Sequence, residues 1–307
     1  MNLTALSEIV HCQNCGEALL KANDEITELT CENCEQSYPV KKGVPVFISE
    51  TDYEKSAETA IHKEQGSVFN YVDHYQKDGV ESDYFRERDA GTAHLDKRVH
   101  QTIFSHIEKK SGRVLDVGCG RAWVAKKLCP LNFEVVSMDI SLENTTGALE
   151  RYPYPNHAAV VADVFSLPFN EGVFDYIIAS EIIEHVVDPV KFVANLIKVL
   201  KPGGKLIITT PYKEKLSYSL CIHCNKLTPL HAHIHSFDEN ILTSLYKGDD
   251  LKSCTYHTFA NKLPIHLRMH SVLRFFNFWC WKTFDGLLNL MIKKPIRILV
   301  KWEKAEF

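Results

Sequence analysis

From residue 95 to residue 212 the chain alternates regularly between helix and strand, and few architectures accept that pattern. "LDKRVHQTIFSHIEKK" places Val99, Ile103, Phe104 and Ile107 at helical spacing. "RVLDVG" then reads as a short apolar strand, "AWVAKKLC" as a helix and "FEVVSMD" as a strand. "SLENTTGALERY" opens on Ser141 as an N-cap and predicts a helix. "AAVVAD" and "FDYIIAS" are strands, "PVKFVANLIKVL" is a helix stopped by "KPGG", and "KLIITTP" is a further strand. Such alternation predicts an α/β, doubly wound and mostly parallel sheet with helices on both faces. Ligands of such sheets bind beyond the carboxyl ends of the strands, so those ends are where chemistry is expected.

The first of those ends reads "LDVGCGRAW". Gly118 and Gly120 permit a tight strand-to-helix turn and let a ligand approach the backbone, but the third glycine of a dinucleotide fingerprint is missing, since Ala122 and Trp123 follow. Asp139 ends the second strand about 20 residues on, where a carboxylate can accept from ribose hydroxyls. Asp163 ends the third strand, before "SLPF". Each position alone is more often structural than functional; three at successive strand ends are hard to obtain by chance.

The run "VLDVGCGRAW…VVSMDIS…VVADVFSLPFNEGVFDYIIASEIIEHVVDP…LIKVLKPGGKLIITTP" resembles the class I S-adenosylmethionine-dependent methyltransferases, nearest to the branch that includes ubiquinone and menaquinone biosynthesis enzymes. The resemblance spans roughly residues 95–212. It implies a Rossmann-like seven-stranded sheet, and a loop of Asp116, Gly118, Cys119 and Gly120 around the methionine part of S-adenosylmethionine. It implies Asp139 on the ribose with Ile140 beside the adenine, Asp163 on the adenine amino group, and a backbone contact from Val164. Ser180 and Glu181 would lie near the transferred methyl. Ala122 in place of the third glycine is a departure that such enzymes tolerate and that speaks against a dehydrogenase. Glu181, Glu184 and His185 are the nearest proton acceptors, with Glu181 and His185 the catalytic candidates. A hydrogen-bonded, purely structural His185 is the plainer expectation. Orientation and desolvation supply much of the rate of methyl transfer, so a strong base is optional.

Upstream, Cys12-x2-Cys15-x15-Cys31-x2-Cys34 has the spacing of a four-thiolate zinc site, predicting a zinc ribbon over residues 1–50. With no open coordination position its role would be structural, and metal would supply much of the folding energy of so small a module. The stretch resembles small zinc-ribbon proteins that partner RNA and protein methyltransferases, and the ribbon preceding some ribosomal RNA guanine methyltransferases. Residues 1–50 hold three lysines, no arginine and eight acidic residues, and the whole chain carries a net charge of −4. Phosphate neutralisation dominates nucleic-acid affinity, so this ribbon makes a poor grip for RNA. Residues 51–94 read as a linker followed by a helical, aromatic-rich segment, and residues 95–307 as the methyltransferase unit. No run approaches ~20 uninterrupted apolar residues and the amino terminus lacks a basic export signal, so a cytoplasmic location is expected.

The last third continues with a helix in "SFDENILTSLYKG", capped by Ser236 or Asp238, and strands in "LKSCTYHTFA" and "PIRILVKWEK". Two insertions interrupt it. In residues 221–237, "CIHCNKLTPLHAHIHSF", Cys221 and Cys224 form one knuckle, and His231, His233 and His235 would share one side of an extended backbone. Two of these histidines would complete a second zinc site, a clasp beside the acceptor pocket. Residues 262–293 read as a helical, aromatic, lid-like insertion. From Lys262 to Lys304 there are nine lysines and arginines against two acidic residues. The plainer expectation packs these aromatics on the core as a lid or dimer helix. The alternative is peripheral contact with an anionic membrane. The function expected is methyl transfer from S-adenosylmethionine to a small-molecule, sugar or lipid-linked acceptor. An RNA methyltransferase comes second, and a non-catalytic zinc scaffold for protein contacts third.

Overall fold

The computed structural model describes residues 3–21, 27–48, 70–222 and 225–306. The expected linker lies almost wholly outside the described residues, as does Cys224.

The amino-terminal unit holds helix α1 (Leu3–Ser7) and strands β1 (Leu19–Lys21), β2 (Glu28–Cys31), β3 (Ser37–Lys41) and β4 (Val44–Pro45), an antiparallel sheet in sequence order. Then follow α2 (Tyr71–Glu81), α3 (Ala90–Phe104), β5 (Gly112–Val117), α4 (Trp123–Leu128), β6 (Phe133–Asp139), α5 (Leu142–Arg151) and β7 (His157–Val161). The chain continues through β8 (Phe174–Ser180), α6 (Pro189–Val199), β9 (Leu200–Pro211), β10 (Tyr218–Leu220), β11 (Leu227–Pro229) and α7 (Glu239–Ser244). It ends with β12 (Leu251–Asn261), α8 (Lys262–His266), α9 (His270–Leu273), α10 (Phe278–Met291) and β13 (Pro295–Lys304).

Seven strands form the main sheet in the order β12-β13-β9-β8-β5-β6-β7. Strands β5 to β9 are parallel, and β13 runs antiparallel between β9 and β12. Every residue of β7 is buried, as are six of the seven in β8, which is why these strands read as unbroken apolar runs rather than alternating ones. Helix α5 begins where Ser141 Oγ accepts from Asn144 N, at 3.2 Å. Helix α6 begins at Asp188, whose Oδ1 accepts from Lys191 N at 2.9 Å, with Pro189 in the first turn, where its missing N–H costs nothing. Asp238, rather than Ser236, caps α7.

Two features differ from the sequence expectation. "KPGG" follows the end of α6, yet it already belongs to β9: Leu200 pairs with Phe174, and a register shift takes up the extra residues before Lys205 pairs with Tyr176. The ribbon is also no free module. Val46 bridges Val161 in parallel, so the chain after β4 extends the β7 edge of the main sheet. His11 N donates to Pro168 O at 2.8 Å and Asn170 N to Ile9 O at 2.9 Å. Leu6, Ile9 and Phe47 share one core with Phe169 and the strands behind it, so part of the ribbon's stability comes from apolar burial against the sheet. Among the described residues no helix is long and apolar enough to cross a membrane.

Candidate active site at the strand ends

The β5 end turns sharply. Gly118 has φ +66° and Gly120 φ +42°, and a Cβ on Gly118 would lie 2.2 Å from Ile182 Cδ1. Ala122, where a third glycine would stand, is itself left-handed at φ 50° and fully buried at the start of α4. Asp139 ties the β5 and β6 turns together: its Oδ2 accepts from Gly120 N at 3.0 Å and from Asn144 Nδ2 at 3.3 Å, and its Oδ1 accepts from Ser141 N at 3.0 Å. Burial raises its pKa, and these donors oppose that rise. Asp116 is 2% exposed, and its Oδ2 has no partner within the protein. Burial, and then the Asp139 charge, push its carboxyl well above the usual range. A cradle too tight for a Cβ, with an unsatisfied buried oxygen behind it, fits a ligand laid against this turn.

Helix α2 covers this end. Tyr71 donates its hydroxyl to Asp163 Oδ2. Gln76 Nε2 donates to Ile140 O at 2.6 Å, and Tyr84 donates to Asp78. The segment was legible only as an aromatic-rich run; its partners lie 64 and 92 residues away, beyond any local pattern. Asp163 Oδ1 also accepts from Phe165 N at 3.0 Å, and Ile140 and Val164 line the same cavity.

At the β8 end, Ser180 Oγ lies 3.0 Å from Thr209 Oγ1. Glu181 is left-handed at φ 58°, a strained conformation for a glutamate, and its Oε2 lies 2.8 Å from Arg297 Nε on β13. The sequence reading placed Arg297 among the basic residues of the last third and gave it no place in the site. Glu184 is 1% exposed, with Oε2 accepting from Thr210 Oγ1 at 2.9 Å. Burial, with Glu181 beside it, pushes its carboxyl well above the usual range. His185 closes a 3-10 turn, Ile183–His185. Its Nδ1 lies 3.2 Å from Ala232 O, which assigns the proton to Nδ1 and leaves Nε2 as an acceptor. Burial, and then His233, lower its pKa to about 4. It is hydrogen-bonded in place and stands on the cavity wall.

The histidine-rich loop folds onto this turn. Ile234 N and His235 N donate to Glu184 O at 2.9 and 3.2 Å, and His233 Nδ1 lies 2.6 Å from Glu214 Oε2. The backbone is not extended through all three histidines. Leu230–Ala232 is a 3-10 turn with His231 at φ 58°, so His231 is exposed rather than aligned with His233 and His235. His233 instead joins Glu184 and His185, one donor atom from each lying within 4.8 Å of the others. Both rings give Nδ1–H to an oxygen, the arrangement that leaves Nε2 for a ligand or a divalent ion.

These groups line one cavity of about 1620 Å³, running from Asp139 and Asp163 past Gly118 and His185 to Lys226 and Arg297. Cys221, His231 and His233 also line it. Drug-sized ligands occupy ~300–1,000 Å³, so there is room for two molecules side by side.

In the ribbon, Cys12, Cys15, Cys31 and Cys34 bring their sulfurs within 4.8 Å of one another, with 3.5 Å between Cys12 and Cys34 and 3.4 Å between Cys15 and Cys31. A tetrahedral ion with ~2.3 Å bonds to sulfur sets its ligands about 3.8 Å apart, so the four thiols fit one.

Residues 84–254 match a methyltransferase domain family. The chain belongs to that family. The strand order and the antiparallel β13 are those of a class I S-adenosylmethionine-dependent methyltransferase. The chain is 27% identical over 168 residues to the ubiquinone biosynthesis O-methyltransferase of Rickettsia akari, covering 53% of this chain and 66% of the relative. It is 29% identical over 178 residues to the mitochondrial ubiquinone biosynthesis O-methyltransferase of Bos taurus, covering 54% of this chain and 48% of the relative. The chain therefore spans between 48% and 66% of the length of these two relatives. Among solved structures, phosphoethanolamine N-methyltransferase 2 of Haemonchus contortus in complex with S-adenosyl-L-methionine superposes with a TM-score of 0.52 at 17% identity, covering 78% of this chain and 61% of that one. At that identity the likeness concerns the fold.

Proposed function

We propose that this chain transfers the methyl group of S-adenosylmethionine to a hydroxyl of a small, partly apolar acceptor, such as a phenol bearing a hydrocarbon tail, and that its ribbon carries a structural zinc. The observation that carries the reading is the single cavity that joins the Gly118 cradle to His185, Glu181 and Arg297 with room for a second molecule. The named activity of the relatives, an O-methylation in ubiquinone biosynthesis, supports a hydroxyl on a small molecule.

When bound, S-adenosylmethionine supplies a sulfonium methyl group open to in-line attack. Asp139 and Asp163 would hold the ribose and adenine ends, and the bare backbone of Gly118 leaves space for the methionine part. Tyr71, Tyr75 and Phe165 line that end of the cavity. At the other end His185 is the group able to take a proton. Glu184 is buried with Oε2 held by Thr210, and Glu181 is paired with Arg297. With Nδ1–H held by Ala232 O, Nε2 of His185 receives the hydroxyl proton as the new oxygen–methyl bond forms. Its low basicity suffices because the oxygen loses its hold on the proton as the bond forms, and because orientation supplies much of the rate.

The test is a labelled-methyl assay on catechols and phenols with and without prenyl tails, with total RNA as a separate arm. Label in a small hydroxylated acceptor, lost in Asp139→Ala and reduced about 100-fold or more in His185→Ala, is the expected result. Label appearing only in RNA would overturn the acceptor class, and absence of S-adenosylmethionine binding by calorimetry would overturn the enzyme reading.

A further inference from the structure

The helical insertion between β12 and β13 presents an uncovered apolar face. β12 runs parallel to β9 and β5, so its end at Asn261 lies at the ligand end of the sheet, and α8 begins at the next residue. The insertion is anchored there by Arg98 of α3, whose Nη2 donates to Leu273 O at 2.6 Å and Phe276 O at 2.9 Å, with the guanidinium 5.1 Å from the Trp281 ring centre. Leu95 and Val99 of the same helix line the main cavity.

The aromatics do not all pack on the core. One side of α10 does so through Trp281, which is 5% exposed. The other side carries Trp279, Leu287, Leu290 and Met291, at 67%, 58%, 84% and 83% exposure, and Phe275 beside them is 76% exposed. A helix side as apolar as this one is ordinarily covered. Among the described residues nothing covers this side.

The charges beside it point to what does. Residues 262–294 contain six lysines and arginines and one carboxylate, Asp285. That carboxylate is withdrawn into the fold, 5% exposed and accepting from Ala260 N at 2.9 Å and Asn261 N at 2.7 Å. Lysines and arginines are therefore the charged groups that the insertion shows to solvent. Arg274 lies 4.8 Å from the Phe275 ring centre and Lys282 lies 5.5 Å from that of Trp279, charged heads beside apolar bodies as at a membrane interface. A second copy docked by two-fold symmetry would set these cations against themselves. An anionic bilayer meets both the apolar face and its cationic surround.

We propose that the 262–294 insertion is a peripheral docking surface for an anionic lipid bilayer, seating Phe275, Trp279, Leu290 and Met291 in the headgroup region with Arg268, Arg274, Lys293 and Lys294 at the phosphates. This surface lies at the same end of the sheet as the cavity, which suits an acceptor drawn from the bilayer. The docking stands on its own evidence, and its test reads binding rather than methyl transfer.

The experiment is vesicle flotation of the full chain with phosphatidylcholine alone and with phosphatidylcholine mixed with phosphatidylglycerol. It is paired with fluorescence quenching by bromine-labelled lipid. Trp279 is the exposed one of the four tryptophans, so quenching reports it selectively. The expected result is flotation with the phosphatidylglycerol vesicles, weakened by salt, with quenching that disappears in Trp279→Phe. Partition should fall about five-fold for each charge removed in Lys293→Gln and Lys294→Gln. Circular dichroism and light scattering confirm that the variants, all at exposed positions, stay folded. Flotation indifferent to phosphatidylglycerol, absence of quenching, or a dimer mass without flotation would each overturn the proposal.

Discussion

Phe47 donates its main-chain N–H to the carbonyl oxygen of Val161, 2.8 Å away and two residues before Asp163. The ribbon is thereby wired to the strand end that would hold the adenine. If the four thiols hold the proposed zinc, its removal should release residues 46–47 from β7. The expected outcome for Cys31→Ser, or for chelated protein, is about ten-fold weaker S-adenosylmethionine binding, the loss of roughly one hydrogen bond's worth of order at that edge. Calorimetry alongside metal analysis checks it. Unchanged affinity in folded, metal-free protein would show that the ribbon is a passenger.

Glu181 and Arg297 make the second prediction. Arg297→Ala leaves a part-buried carboxylate without its cation, which costs about 3 kcal/mol where such a pair is well buried and less here, since Glu181 keeps 31% of its side chain exposed. Thermal unfolding should show the loss, and Arg297→Lys should restore part of it. If the alanine variant is as stable as the parent, the pair is not what holds Glu181 in its left-handed turn.

Much of this was legible in the sequence for a local reason. Strands β5 to β9 are covered on both faces, so their apolar runs carry the signal themselves, and a strand-end acid such as Asp139 stands out by its position. Arg297 did not stand out because its partner, Glu181, lies just past the end of β8, far away along the chain. The α2 residues were hidden likewise, since Gln76 caps Ile140 O across 64 residues. The docking of the ribbon depends on an edge, Val46 on Val161, which is a property of the sheet and of no single segment. The histidine alternation misled because Leu230–Ala232 winds into a 3-10 turn, where the period of two no longer applies.

His100 carries a pH prediction. Stacked 3.7 Å from the Trp123 ring centre, it has its pKa lowered to about 3 by burial and then by Arg88 and Arg121. The unfolded chain would bind its proton near pH 6.5, the folded chain only near 3. Between those values the unfolded state holds more protons. This contribution is therefore fully present above pH 6.5 and is lost as pH falls toward 3. The melting temperature of His100→Phe should decline less steeply than the parent's over that window. Parallel declines would mean that His100 does not titrate in this way.

Cys221 N–H donates to Lys226 O at 2.9 Å, and Asn225, left-handed at φ 55°, donates its N–H to Cys221 O at 2.9 Å. The ribbon uses the same pattern twice. Cys12 N donates to Glu17 O and Gly16 N to Cys12 O, and Cys31 N donates to Gln36 O and Glu35 N to Cys31 O, with Gly16 and Glu35 both left-handed. Bonds of this kind wrap backbone around a cysteine sulfur and set a C-x2-C pair for a metal. A third such turn, ahead of a histidine-rich loop, predicts a second ion in the chain. Its remaining ligands would come from Cys224 and that loop, and His231 is exposed enough to swing toward the knuckle. The replacement Cys221→Ser with Cys224→Ser should lower bound zinc from about two per chain to about one, with the ribbon site intact. Metal analysis of the two proteins decides it, and equal zinc content would leave the knuckle a bare turn on the cavity wall.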